Sequence, residues 1–266
     1  MHVHLSRKWL LAAVWLLSAG GAMAAPVPLA LTITGTVALD SFNSAAALGG
    51  ASQGGTLTHL SAGAPTSSSF TGNPAGLVPS SLSGALTATG DGIGARFAMS
   101  GASVGAENSV GLFADYTLFL SNSSAVETFT IVFRALISNL VDASGADAFA
   151  FSDISVRDAS ISEVLFSDHS VDTFNAGNNL IADSVNDSFS VVLAPGASTT
   201  FTALQRQRGG VYAAGHFSAS LDAFLSVDSV SSSGGGGNAV PLPGSLALVV
   251  LALGGLALAR RRTVAG

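Results

Sequence analysis

The chain lacks cysteine and contains very little tryptophan and tyrosine. None of its 266 residues is a cysteine, which excludes a disulfide framework, a thiolate metal site and a cysteine nucleophile. Trp9 and Trp15 are its only tryptophans, and Tyr116 and Tyr212 are its only tyrosines. Carbohydrate-binding faces usually present such rings, so the composition weakens, without excluding, a lectin role.

Positive charge is also scarce in the central part of the chain. Between Pro26 and Ala239 there are sixteen acidic residues, five arginines and no lysine, which gives a formal charge of −11. A body of this charge repels phosphate groups and anionic lipid surfaces. Nucleic acid is therefore excluded as a partner, and nothing in the sequence calls for a cofactor.

Apolar residues in this central part alternate with polar ones. The alternation runs through Leu31–Ile33, Val110–Leu120, Phe129–Ile137, Phe189–Leu193 and Phe217–Val227. A period of two places one set of side chains on one buried face of a strand. The pattern predicts an all-β body over residues 25–230, an antiparallel β-sandwich of jelly-roll or immunoglobulin-like arrangement. Its predicted core includes Leu112, Tyr116, Leu118, Ile131, Phe133, Phe149, Phe151, Val191 and Leu225.

Local signals add finer expectations. The apolar phase slips within Ala148–Arg157, which predicts a β-bulge near Ser152 and Asp153. Phe189–Leu193 and Thr199–Leu204 flank a Pro-Gly pair, which favours a hairpin. Further expectations are strands at Thr56–Leu60 and Leu82–Met99, a short helix beginning at Ala45–Leu48, and a turn at Asp142–Gly145.

The first 24 residues have the features of a secretory signal peptide. Basic residues precede an apolar run from Trp9 to Leu17, and Ala22-Met23-Ala24 supplies small residues at the cleavage positions. Cleavage before Ala25 is expected, and the apolar segment is predicted to be helical before its removal. The mature protein is therefore expected to cross the inner membrane.

The C-terminal segment has three parts in fixed order. After a Ser/Gly linker at 231–239 come Val240, Pro241, Leu242, Pro243 and Gly244, then an uncharged apolar run over 245–259, and then Arg260, Arg261 and Arg262. The prolines make the first part stiff and extended. As a helix, the apolar run would span about 22 Å, short of the ~30 Å hydrocarbon core. It is predicted to be a short transmembrane helix, with the arginines held in the cytoplasm as a stop-transfer signal. A buried core helix is the alternative.

This three-part order over residues 240–266 resembles the PEP-CTERM sorting signal of Gram-negative bacteria. Leu242 stands where the usual motif has Glu, and Val-Pro-Leu-Pro resembles a variant of the motif. The resemblance implies recognition by an exosortase, a membrane protease, with cleavage near Pro241–Gly244. It also implies export to the cell surface or to an extracellular polysaccharide matrix, with only transient residence in the inner membrane.

No sequence motif assigns a reaction to the body. Asp168-His169-Ser170 holds three triad residue types consecutively, but neighbouring residues cannot form a triad geometry. The phase of its strand places His216 on a solvated surface. Gly90–Gly94 is glycine-rich without a following helix or a lysine, which favours a turn between strands.

Two groups of acids are candidate calcium ligands. One contains Asp142, Asp147 and Asp153, and the other contains Asp183, Asn186 and Asp187. Calcium takes six to eight oxygen ligands, commonly from loops. Neither group has EF-hand spacing, and solvated turn acids are the favoured interpretation.

The sequence therefore predicts an exported, non-enzymatic surface or matrix protein. Its expected partners are the export machinery and an exosortase, and exopolysaccharide of a biofilm is a further candidate. The alternative is a secreted glycan-binding or glycan-active jelly-roll protein, and an enzyme of that kind needs paired carboxylates on facing strands.

Overall fold

The computed structural model describes residues 24–73, 80–173 and 179–234. Within these ranges the structure contains β-strands and no helix. The strands are β1 (Leu31–Leu39), β2 (Ala45–Leu48), β3 (Ser52–Ser61), β4 (Ala64–Thr71), β5 (Ser81–Ala85), β6 (Gly92–Val104), β7 (Asn108–Asn122), β8 (Thr128–Gly145), β9 (Ala148–Arg157), β10 (Glu163–Asp172), β11 (Asn179–Leu193), β12 (Ser198–Val211) and β13 (Ala214–Ser233).

The strands form two antiparallel sheets, which confirms the all-β prediction. Sheet I has the order β10-β9-β12-β7-β1-β5, with β2 paired to β7. Sheet II has the order β11-β8-β13-β6-β3-β4. Buried apolar residues from both sheets form one core, so the body is a β-sandwich. The predicted helices at the two ends of the chain lie outside the described residues.

Period-two burial accounts for most of the core. On β7, Leu112, Ala114, Tyr116, Leu118 and Leu120 are buried, and on β13 the same holds for Phe217, Ala219, Leu221, Ala223, Leu225 and Val227. Phe133 is fully buried in β8 and stacks on Phe189 of β11, with ring centroids 5.3 Å apart. Val191 is only partly buried against this core.

Strand β9 contradicts the predicted bulge. Its pairing with β12 runs without interruption from Arg157 to Ala148. Ala148, Ala150, Ile154 and Val156 share the inward face. Phe149 and Phe151 are therefore half-buried on the outer face of sheet I rather than in the core. The prediction was wrong because it placed the bulky rings in the core, where the structure has the small alanines. The register shift at this edge of sheet I lies on β10, between Glu163 and Leu165.

The predicted hairpin around Pro195 and Gly196 is also wrong. β11 pairs with β8 in sheet II, whereas β12 pairs with β7 and β9 in sheet I. The Pro-Gly turn therefore carries the chain from one sheet to the other. A turn signal fixes a reversal of direction but not the partner of the next strand.

Four boundaries differ from expectation. Ala45–Leu48 is an edge strand paired to β7 rather than a helix. The strand predicted over Leu82–Met99 is divided into β5 and β6 by a turn. β8 continues through the predicted turn at Asp142–Gly145, and the chain reverses one residue later. β13 continues to Ser233, three residues into the predicted linker.

The turn between β5 and β6 is organised by a buried carboxylate. Asp91 is 1% exposed and accepts hydrogen bonds from the backbone N–H groups of Ala62, Gly63, Thr87 and Ala88 and from the Thr87 hydroxyl. Desolvation acts to raise the pKa of Asp91, but the four backbone donors outweigh it and hold that pKa below its ordinary value. Gly90 and Asp91 thus lie in a structural turn, as predicted, whereas Gly92–Gly94 already belong to strand β6.

Removing this carboxylate should destabilise the sandwich. Asp91→Ala leaves several donors without a partner, so we expect a loss of at least roughly 2–3 kcal/mol in the free energy of unfolding at pH 6. Because the folded-state pKa is depressed, the stabilisation by the charge is present above the unfolded-state pKa of about 3.9 and is lost as the pH falls through the folded-state value. The stability difference between wild type and Asp91→Asn should shrink on acidification from pH 6 to pH 3 in urea titrations. Asp228→Ala, at an exposed acid of β13, is the control, and an equal effect there would contradict this assignment.

Candidate functional site

The outer face of sheet I carries three of the five arginines of the body. Arg157 lies on β9, and Arg206 and Arg208 lie on β12. Antiparallel pairing aligns Arg206 with Asp153 of β9, and Asp153 with Asp168 of β10. The alternation of β9 and β12 thus presents these charged groups on the outer face of the sheet, away from the core.

Arg206 and Asp153 form an ion pair on this face. Arg206 Nε donates to the two carboxylate oxygens of Asp153 at 2.9 and 3.1 Å, and its Nη2 also donates to Asp153. Asp153 is 1% exposed, and the guanidinium lies 5.6 Å from the centroid of the Phe151 ring. Hydrogen bonding to Asp153 raises the pKa of Arg206, and the nearby charges of Asp153 and Asp168 act in the same direction, against desolvation.

A second arginine is held by an aromatic ring. The guanidinium of Arg208 lies 5.0 Å from the centroid of Phe113 on β7, a distance at which a cation is attracted to the ring face. Phe149 stacks on Tyr212 at the same end of the sheet, with centroids 6.0 Å apart. Phe149 and Phe151, which the sequence predicted to lie in the core, therefore contact Tyr212 and Arg206 on the outer face of sheet I.

Beside the Arg206–Asp153 pair lies a depression of about 460 Å³, which we call the β12 groove. Its lining includes Asp115, Thr117, Ser155, Arg157, Thr202, Leu204 and Arg206. Strand register explains its shape. Leu204 lies between Asp115 and Ser155, and Thr202 lies between Thr117 and Arg157. β12 thus forms the floor, and β7 and β9 form the two walls.

Asp115 is the carboxylate on the β7 wall. Its side chain accepts no hydrogen bond from the residues that the structure describes. Desolvation, and then the charge of Asp40, raises the pKa of Asp115. Asp40 itself accepts hydrogen bonds from the backbone of Phe42 and Asn43 and from the Asn43 amide, so it is a turn residue.

A different site unites a serine, a histidine and an aspartate. On the outer face of sheet II, His216 Nε2 lies 3.1 Å from Asp142 Oδ2, and the Ser144 hydroxyl contacts the other ring nitrogen. Asp142 and Ser144 lie two residues apart on β8, whereas His216 lies on β13. The His216 and Asp142 side chains are 49% and 30% exposed, which confirms the predicted surface position of His216. This cluster fastens the end of β8 to the start of β13.

The sequence did not predict this cluster because Asp142–Gly145 was interpreted as a turn, whereas Asp142 and Ser144 lie on strand β8. The usable signal was that Asp142 and Ser144 share the outward phase of one long strand and His216 that of another. The consecutive Asp168-His169-Ser170 forms no such arrangement, since neighbouring side chains on β10 alternate between faces.

The candidate calcium ligands are not brought together. Asp142 contacts His216, Asp153 is bound by Arg206, and Asp147 lies in the turn after β8. Asp183 and Asp187 lie on strand β11 rather than in a loop, and each accepts a hydrogen bond from the backbone N–H of the following serine. Asn186 accepts one from Arg134 Nε at 2.7 Å. Within the described ranges, no group of three or more His, Cys, Asp or Glu residues is arranged to hold a metal ion.

The predicted sorting residues lie outside the part of the chain that the structure describes. These are Ala22, Val240, Pro241, Leu242, Pro243, Gly244, Arg260, Arg261 and Arg262. Ala24 and Ala25 are described. Ala25 donates its N–H to the Thr89 hydroxyl at 2.9 Å, and its carbonyl accepts from the Thr89 N–H at 2.8 Å. Among the described residues, there is no helix with the length and apolar character needed to span a membrane.

Comparisons with known proteins give no family. No family model and no curated protein matches the chain. Solved structures of infectious bursal disease virus are matched weakly. For the VP2 subviral particle the identity is 9% and the TM-score is 0.19, with 84% of this chain and 72% of that chain covered. For the T13 viral particle the identity is 9% and the TM-score is 0.17, with 73% and 62% covered. At these TM-scores the likeness carries no argument.

Breaking the Arg206–Asp153 pair should destabilise the outer layer of sheet I. Arg206→Ala leaves the Asp153 carboxylate buried without its counter-ion, which we expect to cost roughly 2–3 kcal/mol; this is below the cost of breaking a fully buried pair because Arg206 is partly exposed. The matched control is Arg208→Ala, which removes a ring contact and should cost about 1 kcal/mol or less. Urea unfolding of both variants measures this. Equal costs would show that Asp153 does not depend on Arg206.

Proposed function

We propose that this chain is an exported, non-enzymatic protein of the cell surface or extracellular matrix, sorted by an exosortase through residues 240–266. Its signal peptide would be removed before Ala25. The tail would hold the chain transiently in the inner membrane until cleavage near Pro241–Gly244 releases the body.

The observation that carries this proposal is where the sandwich begins and ends. Ala25 is joined to Thr89 by two hydrogen bonds, and the last strand ends at Ser233. Removal of residues 1–24, together with cleavage near Pro241, would leave every described strand intact. Both cuts thus fall outside the described strands, as a protein that matures after export requires.

The order in which the chain visits the two sheets supports a jelly-roll-like arrangement. From β5 to β9 each successive strand lies in the opposite sheet, and β10 to β13 alternate again. Repeated crossing between two sheets is the connection pattern of double-sheet jelly rolls. We place this sandwich nearer to them than to immunoglobulin-like domains.

The rival function, glycan hydrolysis, has one feature in its favour. Asp115 has a raised pKa and lies near a second acid, Asp40, as paired catalytic carboxylates do. Asp40, however, is committed to three hydrogen bonds within its own turn. Its carboxylate is thereby oriented for turn formation, which favours a binding role for this face over a hydrolytic one.

Cleavage of the sorting signal should be lost when the prolines that stiffen its first part are replaced. Pro241→Ala combined with Pro243→Ala should leave membrane insertion intact but block cleavage, because the protease would no longer meet an extended peptide. Replacing Arg260, Arg261 and Arg262 by Ser should weaken retention before cleavage, since each arginine costs about 2.5–3.5 kcal/mol to bring to the bilayer centre. Immunoblots of membrane and surface fractions from the native host measure both effects.

The matched control is Pro65→Ala, at an exposed proline of β4, which should be processed like the wild-type chain. Normal processing of the double proline variant would contradict recognition of the Pro-Leu-Pro segment.

A further inference from the structure

We propose that the β12 groove is a binding site for a neutral polysaccharide, a chain of uncharged sugars whose hydroxyl groups face the groove walls. This deepens the proposed function, on which it rests, by assigning the surface through which the exported body would hold the matrix.

The charges of the groove walls favour an uncharged, polyhydroxylated ligand. The side chain of Asp115 on the β7 wall makes no hydrogen bond among the described residues, and on the β9 wall the side chain of Arg157 makes none either. A carboxylate only accepts hydrogen bonds and a guanidinium only donates them. A sugar hydroxyl can do both, so the hydroxyls of a chain of sugars can satisfy the two walls together. An anionic ligand would meet the uncompensated charge of Asp115, and a cationic one would meet that of Arg157.

The floor of the groove supplies the other half of sugar recognition. Leu204 is half-buried between Asp115 and Ser155, and it offers an apolar surface for the C–H face of a sugar ring. Phe166 is 47% exposed on β10 and is paired in register with Ser155. A ligand with one apolar face and a polar rim matches this arrangement.

Polar groups on the floor and on the β9 wall are held in place before any ligand arrives. Arg206 is fixed by Asp153 and by the ring of Phe151. The Ser155 hydroxyl donates to Glu163 Oε2 at 2.8 Å. Polar groups that are already oriented lose little conformational freedom when they bind.

Hydroxyl groups continue beyond the groove in one direction, which indicates a polymer rather than a single sugar. Thr202 is in register with Thr117, Thr117 with Thr36, and Thr36 with Ser83. The Thr36 and Ser83 hydroxyls lie 2.7 Å apart. At about 4.8 Å between strands, this row across four strands extends roughly 14 Å from β12 to β5. It provides further hydroxyls along which successive sugars can lie.

Affinity electrophoresis of the full-length chain in mild detergent tests the proposal. Native gels would contain dextran, amylose, mannan or a soluble β-1,3-glucan as neutral probes, and alginate as the acidic one. We expect retardation by at least one neutral probe and weaker retardation by alginate. Arg157→Ala and Asp115→Ala should each weaken that retardation about fivefold or more. The matched controls, Arg134→Ala and Asp187→Ala on sheet II, should stay within about twofold of wild type.

Three results would overturn the proposal. They are no retardation by any of the four neutral probes, stronger retardation by alginate than by all of them, and equal losses in the groove variants and the sheet II controls. Urea unfolding midpoints for all four variants separate lost binding from lost folding. The sorting proposal has its own readout, the mass of the exported protein, which does not depend on binding, so the two failures are distinguishable.

Discussion

The two sheets are held together by buried apolar side chains from both inner faces, and some of the large ones fit only because a glycine faces them. The Phe217 ring of sheet II packs over Gly209 of sheet I, where an added Cβ would lie 2.2 Å from the ring. Ile93 of sheet II packs in the same way against Gly35 of sheet I, with 2.7 Å to an added Cβ. A side chain at either glycine would force the sheets apart, and cores tolerate such overpacking poorly. Because the chain has no disulfide, the sandwich depends on these close contacts between the two sheets.

The outer faces follow from the same constraint. Alternation commits every second residue to the core, so the residues between them are free to be polar. On β12 this places Thr202, Leu204, Arg206 and Arg208 outward, next to Asp153 and Arg157 of β9. Because β12 is central in sheet I, the groove has a rigid floor and two strand walls. The binding site proposed here is thus a product of strand register, which no single stretch of sequence contains.

The sequence was sufficient for the parts of the fold that depend on local alternation. β7, β8 and β13 were predicted from their apolar phase because one of their faces is wholly buried. β12 was harder, since its inward positions include Gln205, Gln207 and Gly209. Gln205 is buried because it accepts a hydrogen bond from the Tyr116 hydroxyl and donates to the Leu221 carbonyl, a pairing that depends on tertiary contacts. The prediction for β9 was wrong for the opposite reason. Its two phenylalanines lie on the outer face, where Arg206 contacts Phe151 and Tyr212 stacks on Phe149. The groove and the Asp142–Ser144–His216 cluster each join distant strands and could not be predicted from spacing.

In the proposed function, an exosortase acts on the tail and the body then reaches the cell surface intact. The mass of the protein recovered from the cell surface of its native host tests this most directly. The account predicts a chain that begins at Ala25 and ends near Pro241–Gly244. A mass that still includes Ser245 to Gly266 would show that the tail is a permanent anchor and would contradict the sorting proposal.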